Sequence, residues 1–117
     1  MITLQPHCRS CVESALRQMR GREFCAFLLQ GEHGMQEIFR VLNVDGLWGS
    51  FQVPDSELDR VETYAQCQGM TIGAFIHSHH SSIDMSPADV RSHARSRYPW
   101  IVVHAGPDGF SYKTYPA

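Results

Sequence analysis

Ile72-Gly73-Ala74-Phe75-Ile76-His77-Ser78-His79-His80-Ser81-Ser82-Ile83-Asp84-Met85-Ser86-Pro87-Ala88-Asp89 is the stretch on which fold and chemistry both turn. The apolar run at its head has the make-up of a buried strand, and it ends in imidazoles. His77 and His79 stand two apart, so in an extended segment both side chains leave the same face. Paired neutral imidazoles are a common beginning of a transition-metal site. Asp89 offers a hard oxygen downstream. Two nitrogens and one carboxylate leave the fourth position of a tetrahedral zinc open to water, the mark of a catalytic rather than a structural site. The plain alternative is an ordinary helix start, with Ser86 as N-cap, Pro87 at N1 and Asp89 at the positive end of the dipole. A pair of loop histidines can equally be solvated.

Working outward from this stretch, the segments before it supply a second acid. Glu23-Phe24-Cys25-Ala26-Phe27-Leu28-Leu29 is an apolar run of strand length headed by a carboxylate. Its continuous rather than alternating apolarity predicts a strand covered on both faces. Glu23 is then either a solvated acid at a helix–strand junction or a partly buried carboxylate facing the histidines. Before it, Cys8, Val12, Ala15, Leu16 and Met19 recur at helical spacing and predict a helix over 6–19, closed by Gly21. After it, Gly31-Glu32-His33-Gly34 predicts a turn and Met35 to Val44 the returning strand. A loop around Leu47-Trp48 and a short strand over Phe51-Gln52-Val53 precede a second helix. Asp55 or Ser56 caps that helix, Leu58, Val61, Tyr64 and Ala65 line its inner face, and Gly69 closes it.

Beyond Asp89 the pattern predicts a third helix to about Arg97, broken by Pro99. Strands over 100–104 and 110–115 follow, joined by a turn at Gly106-Pro107-Asp108-Gly109. The fold class expected is α/β in the α+β sense: a mixed, mostly antiparallel sheet flanked by helices, in one domain over 1–117.

Composition bounds the function. The chain has 117 residues, 43% apolar and 19% charged, within the range of a folded globular domain. A formal charge of −2 without a Lys/Arg block argues against a nucleic-acid footprint. No apolar run reaches the length of a membrane span and the N-terminus lacks a secretory apolar core, so a cytoplasmic location is expected. Cys8 and Cys11 form a C-x-x-C, yet no second pair completes a structural zinc site, and reduced thiols are the expectation. Cys25 and Cys67 lie in apolar segments and are expected as small core residues.

Taken together, Glu23, His77-x-His79 and Ser86-x-x-Asp89 resemble the JAMM motif of the MPN+ (Mov34/PAD-1, JAB1-type) metalloproteases. That family carries a distant Glu, then His-Ser/Thr-His, a spacer, and Ser-x-x-Asp. The likeness covers nearly the whole chain, since Glu23 to Leu29 is similar to the family's Glu-x-Cys-Gly-Leu-Leu and Ile72 to His79 to its His-Ser-His strand. It implies an MPN/JAB fold. It also implies one Zn²⁺ per chain held by His77, His79 and Asp89, with Glu23 as proton acceptor and donor and Ser86 as the oxyanion donor. The substrate class implied is an amide bond at the C-terminal Gly-Gly tail of a small ubiquitin-like, sulfur-carrier-type protein. The alternative within the fold is a metal-free MPN scaffold that binds partners. An unrelated metallo-β-lactamase-type His-x-His-x-Asp-His is excluded by Ser81.

Three positions depart from the family. The spacer from His80 to Met85 is one residue shorter than usual, Ala26 replaces a usual Gly, and His80 replaces a frequent Pro. In the extended register His80 faces away from His77, so it lines the mouth of a substrate groove or is simply solvated. Asp84 is a weaker alternative to Asp89, because it lacks the preceding Ser and the helix start.

Overall fold

In the computed structural model, the described residues are 2–19, 23–43, 53–79 and 82–117. Helix α1 spans Pro6–Gln18 and strand β1 Cys25–Gln30. A short 3₁₀ turn at Glu32–Gly34 leads to β2, Gln36–Arg40. Helix α2 (Asp55–Gln68), β3 (Thr71–Ser78), α3 (Pro87–Ala94), β4 (Trp100–Gly106) and β5 (Gly109–Tyr115) complete the order. The strands form one sheet in the order β2-β1-β3-β4-β5. Every neighbouring pair is antiparallel except β3 and β4, which run parallel. A parallel pair needs a crossover, and α3 supplies it. The mixed, mostly antiparallel sheet with flanking helices is therefore as the sequence predicts.

The apolar run of β1 explains the layering. Ala26 and Leu28 point to one face, where α1 lays Cys8, Val12, Ala15 and Leu16 against them together with Ile76, Ile101 and Val103. Cys25, Phe27 and Leu29 point to the other, against Val61 and Ala65 of α2 with Phe75 and Trp100. A strand covered on both faces has no polar side to show, which is why its apolarity is continuous. Gly69, in the left-handed region at φ 69°, ends α2, where the Met70 amide donates to the Ala65 carbonyl at 2.8 Å.

Several element ends differ from expectation, each for a local reason. Glu23 and Phe24 precede β1 rather than open it. Strand β2 stops at Arg40 because the Leu42 amide turns to Glu57 Oε1 of α2 at 2.7 Å. Helix α2 starts at Asp55 with Pro54 in the cap position and no side-chain cap, so neither Asp55 nor Ser56 serves as one. Helix α3 ends at Ala94, not Arg97. There the Arg95 and Ser96 amides fold back onto the Ser92 and His93 carbonyls, and Ser96 Oγ accepts from the Tyr98 amide at 3.2 Å. Strand β3 runs from Thr71 through His77 to Ser78, so the first imidazole lies inside the strand. Cys67, expected in the core, is exposed on α2, whereas Cys25 is buried. The helix stop at Gly21, the Leu47-Trp48 loop, the Phe51-Gln52 part of the short strand, and His80 lie outside the described residues.

Leu28 is fully enclosed between sheet and α1. Leu28→Ala is expected to cost about 2–5 kcal/mol, because a buried leucine removed from a two-sided layer leaves a cavity that helix and sheet cannot both close. Urea unfolding monitored by circular dichroism measures it; a loss below about 1 kcal/mol would mean that α1 is not firmly seated on the sheet.

Candidate metal centre

The centre lies where the C-terminal end of β3 meets the N-terminus of α3, with the entry to β1 alongside. Cys25 pairs with His77 in the antiparallel register of β1 and β3. Beyond that pair, the Phe24 amide donates to Ser78 Oγ at 2.7 Å and the Ser78 amide to the Phe24 carbonyl at 3.0 Å. This clasp carries Glu23, one residue earlier, to the face that His77 occupies. Glu23 Oε1 accepts from His77 Nδ1 at 3.2 Å, with both side chains almost wholly buried. A ring nitrogen that donates to a carboxylate leaves the lone pair on the other nitrogen, Nε2.

His79 follows β3, and its ring lies 5.0 Å from that of His77, centroid to centroid. Its position is held from β4, where the His79 amide donates to the Val103 carbonyl at 3.0 Å and His104 Nδ1 donates to the His79 carbonyl at 3.2 Å. His77 is gripped on two sides: Phe75 stacks on it at 5.7 Å and 19°, and Trp100 meets it edge-on at 5.0 Å and 83°.

Asp89 arrives from α3. Ser86 is the N-cap, and a capping box is complete: the Asp89 amide donates to Ser86 Oγ, and the Ser86 amide to Asp89 Oδ2, both at 3.1 Å. The same Oδ2 lies 2.6 Å from His79 Nε2 and 3.9 Å from His77 Nε2. The hydrogen bond to Asp89 raises the His79 pKa against the opposing effect of burial. Burial pushes Asp89 up, but the His79 hydrogen bond, the nearby His77 and the Ser86 amide outweigh it and hold the carboxyl below its ordinary value.

All five sequence-predicted residues thus belong to one constellation, and the helix-cap and metal-site readings of Ser86 and Asp89 are not exclusive. One carboxylate oxygen both closes the cap and faces two imidazoles. Glu23, His77 and His79 present ligand atoms within 4.8 Å of one another, a cluster that could hold a metal ion. Two further observations fit a divalent cation there. Glu23 Oε2 is buried with no hydrogen-bond partner among the described residues, a costly state for a carboxylate. The donor set, two imidazoles with carboxylate oxygens, is the chemistry that zinc-class ions take. The buried thiols of Cys25 and Cys8 are poor thiolate donors. Burial, helped by the charge of Glu23, pushes Cys25 far up, and burial together with Cys11 and Glu37 pushes Cys8 up to about 11. Asp84 is exposed and pairs only loosely with Lys113, at 3.9 Å.

Sequence reasoning did not reach Phe75, Trp100 and His104 as supports of the two imidazoles. Phe75 was accessible in principle, standing two before His77 on the same strand face; Trp100 and His104 arrive by the parallel pairing of β4, for which no local signal exists.

No family model and no curated protein matches the chain. Solved structures do. The solution structure of protein DSY2949 from Desulfitobacterium hafniense is similar over 97% of this chain and 82% of that one, at 19% identity and a TM-score of 0.81. The crystal structure of AF2198, a JAB1/MPN domain protein from Archaeoglobus fulgidus, is similar over 92% and 82%, at 23% identity and a TM-score of 0.60. At such identities the likeness establishes the fold, which is MPN-like. Among the described residues, no helix is long and apolar enough to cross a membrane.

The His79–Asp89 pair makes the metal-free protein's stability depend on pH. The raised pKa of His79 stabilises below about 6.5 and is lost as pH rises through the folded value. The lowered pKa of Asp89 stabilises above about 4 and is lost as pH falls through its folded value. The stability advantage over Asp89→Asn is therefore expected to peak between about pH 4 and 6.5 and to shrink on either side. Urea titrations of both proteins with chelator present, from acid to mild alkali, check this; a pH-independent difference would contradict the pairing.

Proposed function

We propose that this chain is a JAMM-type zinc peptidase or isopeptidase that cleaves an amide bond at the C-terminal Gly-Gly tail of a small ubiquitin-like, sulfur-carrier-type protein. The observation that carries the reading is the convergence of His77, His79 and Asp89, one oxygen facing both Nε2 atoms, with a Glu23 oxygen within 4.8 Å of both imidazoles. His77 Nε2, His79 Nε2 and Asp89 Oδ2 are the assigned ligands. A zinc-class ion in this donor set supplies a Lewis acid and a water whose pKa falls toward about 7.

The chain's own residues do the rest. The two oxygens of Glu23 divide the work: Oε1 fixes the His77 tautomer, and Oε2 accepts the proton of the attacking water and returns it to the leaving amine. The Ser86 hydroxyl uses its oxygen as acceptor in the helix cap, so its hydrogen is available to the carbonyl oxygen as negative charge collects there. Such a donor is typically worth about 3 kcal/mol in the transition state. No covalent intermediate is required.

The substrate class rests on the family likeness. Two glycines without side chains suit a narrow groove.

Purified protein is expected to hold about one zinc and to cut a ubiquitin-like carrier extended beyond its Gly-Gly. Glu23→Gln should keep the zinc, since the amide still accepts from His77 Nδ1, but lose about 10²–10⁴-fold in kcat. His77→Ala should lose the metal. Elemental analysis and a peptide-release assay read both. A fully active Glu23→Gln would sink the proton-transfer role, and loss of zinc in that variant would move Glu23 among the ligands. A wild-type protein that neither takes up zinc nor cuts would favour an MPN-fold binding scaffold.

A further inference from the structure

The two halves of the centre are held very differently. His77 lies in a central strand, fully buried among Phe75 and Trp100. Asp89 rides on α3, a helix of 8 residues in which it is the sole buried side chain and Val90 stays 51% exposed. A helix this short, with no apolar face in the core, has little of its own to fix where its carboxylate sits.

From the sheet, Tyr115 reaches it on both sides. The Tyr115 hydroxyl donates to the Ile83 carbonyl at 2.8 Å, in the segment that leads into the Ser86 cap. Its ring lies 6.4 Å from that of His93, one turn beyond Asp89 on α3, and His93 in turn meets Trp100 at 5.5 Å. Tyr115 pairs with Trp100 in the β4–β5 register, so hydroxyl and ring spring from the strand platform next to the one that backs His77. The nearby Lys113–Asp84 pair is exposed at 3.9 Å and adds little.

We propose that Tyr115 is a positioning residue for the metal centre, docking the Ile83 segment and α3 so that Asp89 is held at the distance from His77 and His79 that an ion requires. The claim rests on the metal reading above. It assigns Tyr115 no contact with substrate.

The test compares Tyr115→Phe with Tyr112→Phe, each of which loses one hydroxyl from the same strand. Tyr112 accepts from the Leu4 amide at 3.1 Å and packs with the α1 side of the sheet, away from α3. Zinc affinity by competition with a chromophoric chelator is expected to fall about tenfold in Tyr115→Phe and to stay unchanged in Tyr112→Phe. In the metal-free proteins, amide exchange over α3 should quicken about fivefold in Tyr115→Phe alone, the loss of one hydrogen bond. Equal effects of both variants, or no change in Tyr115→Phe, overturn the proposal. A wild-type chain that binds no zinc overturns the peptidase reading instead, and the α3 exchange rates then decide the docking role without it.

Discussion

The antiparallel pairing of β1 with β3 is the constraint on which the rest depends. It places Cys25 opposite His77, and the Phe24–Ser78 clasp extends it by one step. Strand side chains alternate, so a slip of one residue would turn His77 toward α1 and send Glu23 away from it. The register is secured by what it buries. Ala26, Leu28, Ala74 and Ile76 serve the α1 layer while Cys25, Phe27 and Phe75 serve the α2 layer, and no slipped pairing satisfies both. The position of a buried carboxylate next to a buried imidazole is thus enforced by hydrophobic packing on the two faces of the sheet.

Burying Glu23 and His77 is expensive unless each offsets the other. Their hydrogen bond meets part of that cost, yet it leaves Oε2 of Glu23 without a partner among the described residues. A cation or a water proton is the natural occupant of such a position, and the proposed mechanism assigns it the proton of the attacking water. The Asp89 half follows a different principle. A helix cap, needed for local stability in any case, is placed so that its acceptor oxygen also faces the two imidazoles. Local helix chemistry and site chemistry share one atom, so loss of either weakens the other.

Much of this is legible in the sequence. The His-x-His at a strand end, the Ser-x-x-Asp helix start and the acid heading a two-sided apolar strand are local patterns, and each survives in the structure. What was not legible depends on distant pairing. Nothing in the Trp100 or His104 neighbourhood announces that β4 will run parallel to β3 and bring them against His77 and His79. Tyr115 reads as the last residue of a final strand, and only the β4–β5 register aims it at Ile83. Cys67 misled because an apolar neighbourhood on a helix does not say which side of the helix a residue takes. Helix α3 ends short of the stop that Pro99 predicts, because the backbone has already turned at Ser96.

In the proposed function a metal ion is held by imidazole and carboxylate, not by the thiols of Cys8 and Cys11. X-ray absorption at the zinc edge of the reconstituted protein tests it most directly. The expected result is nitrogen and oxygen scatterers at about 2.0–2.1 Å, with the outer-shell signature of two imidazoles. A sulfur shell at about 2.3 Å would place the ion at the C-x-x-C and contradict it.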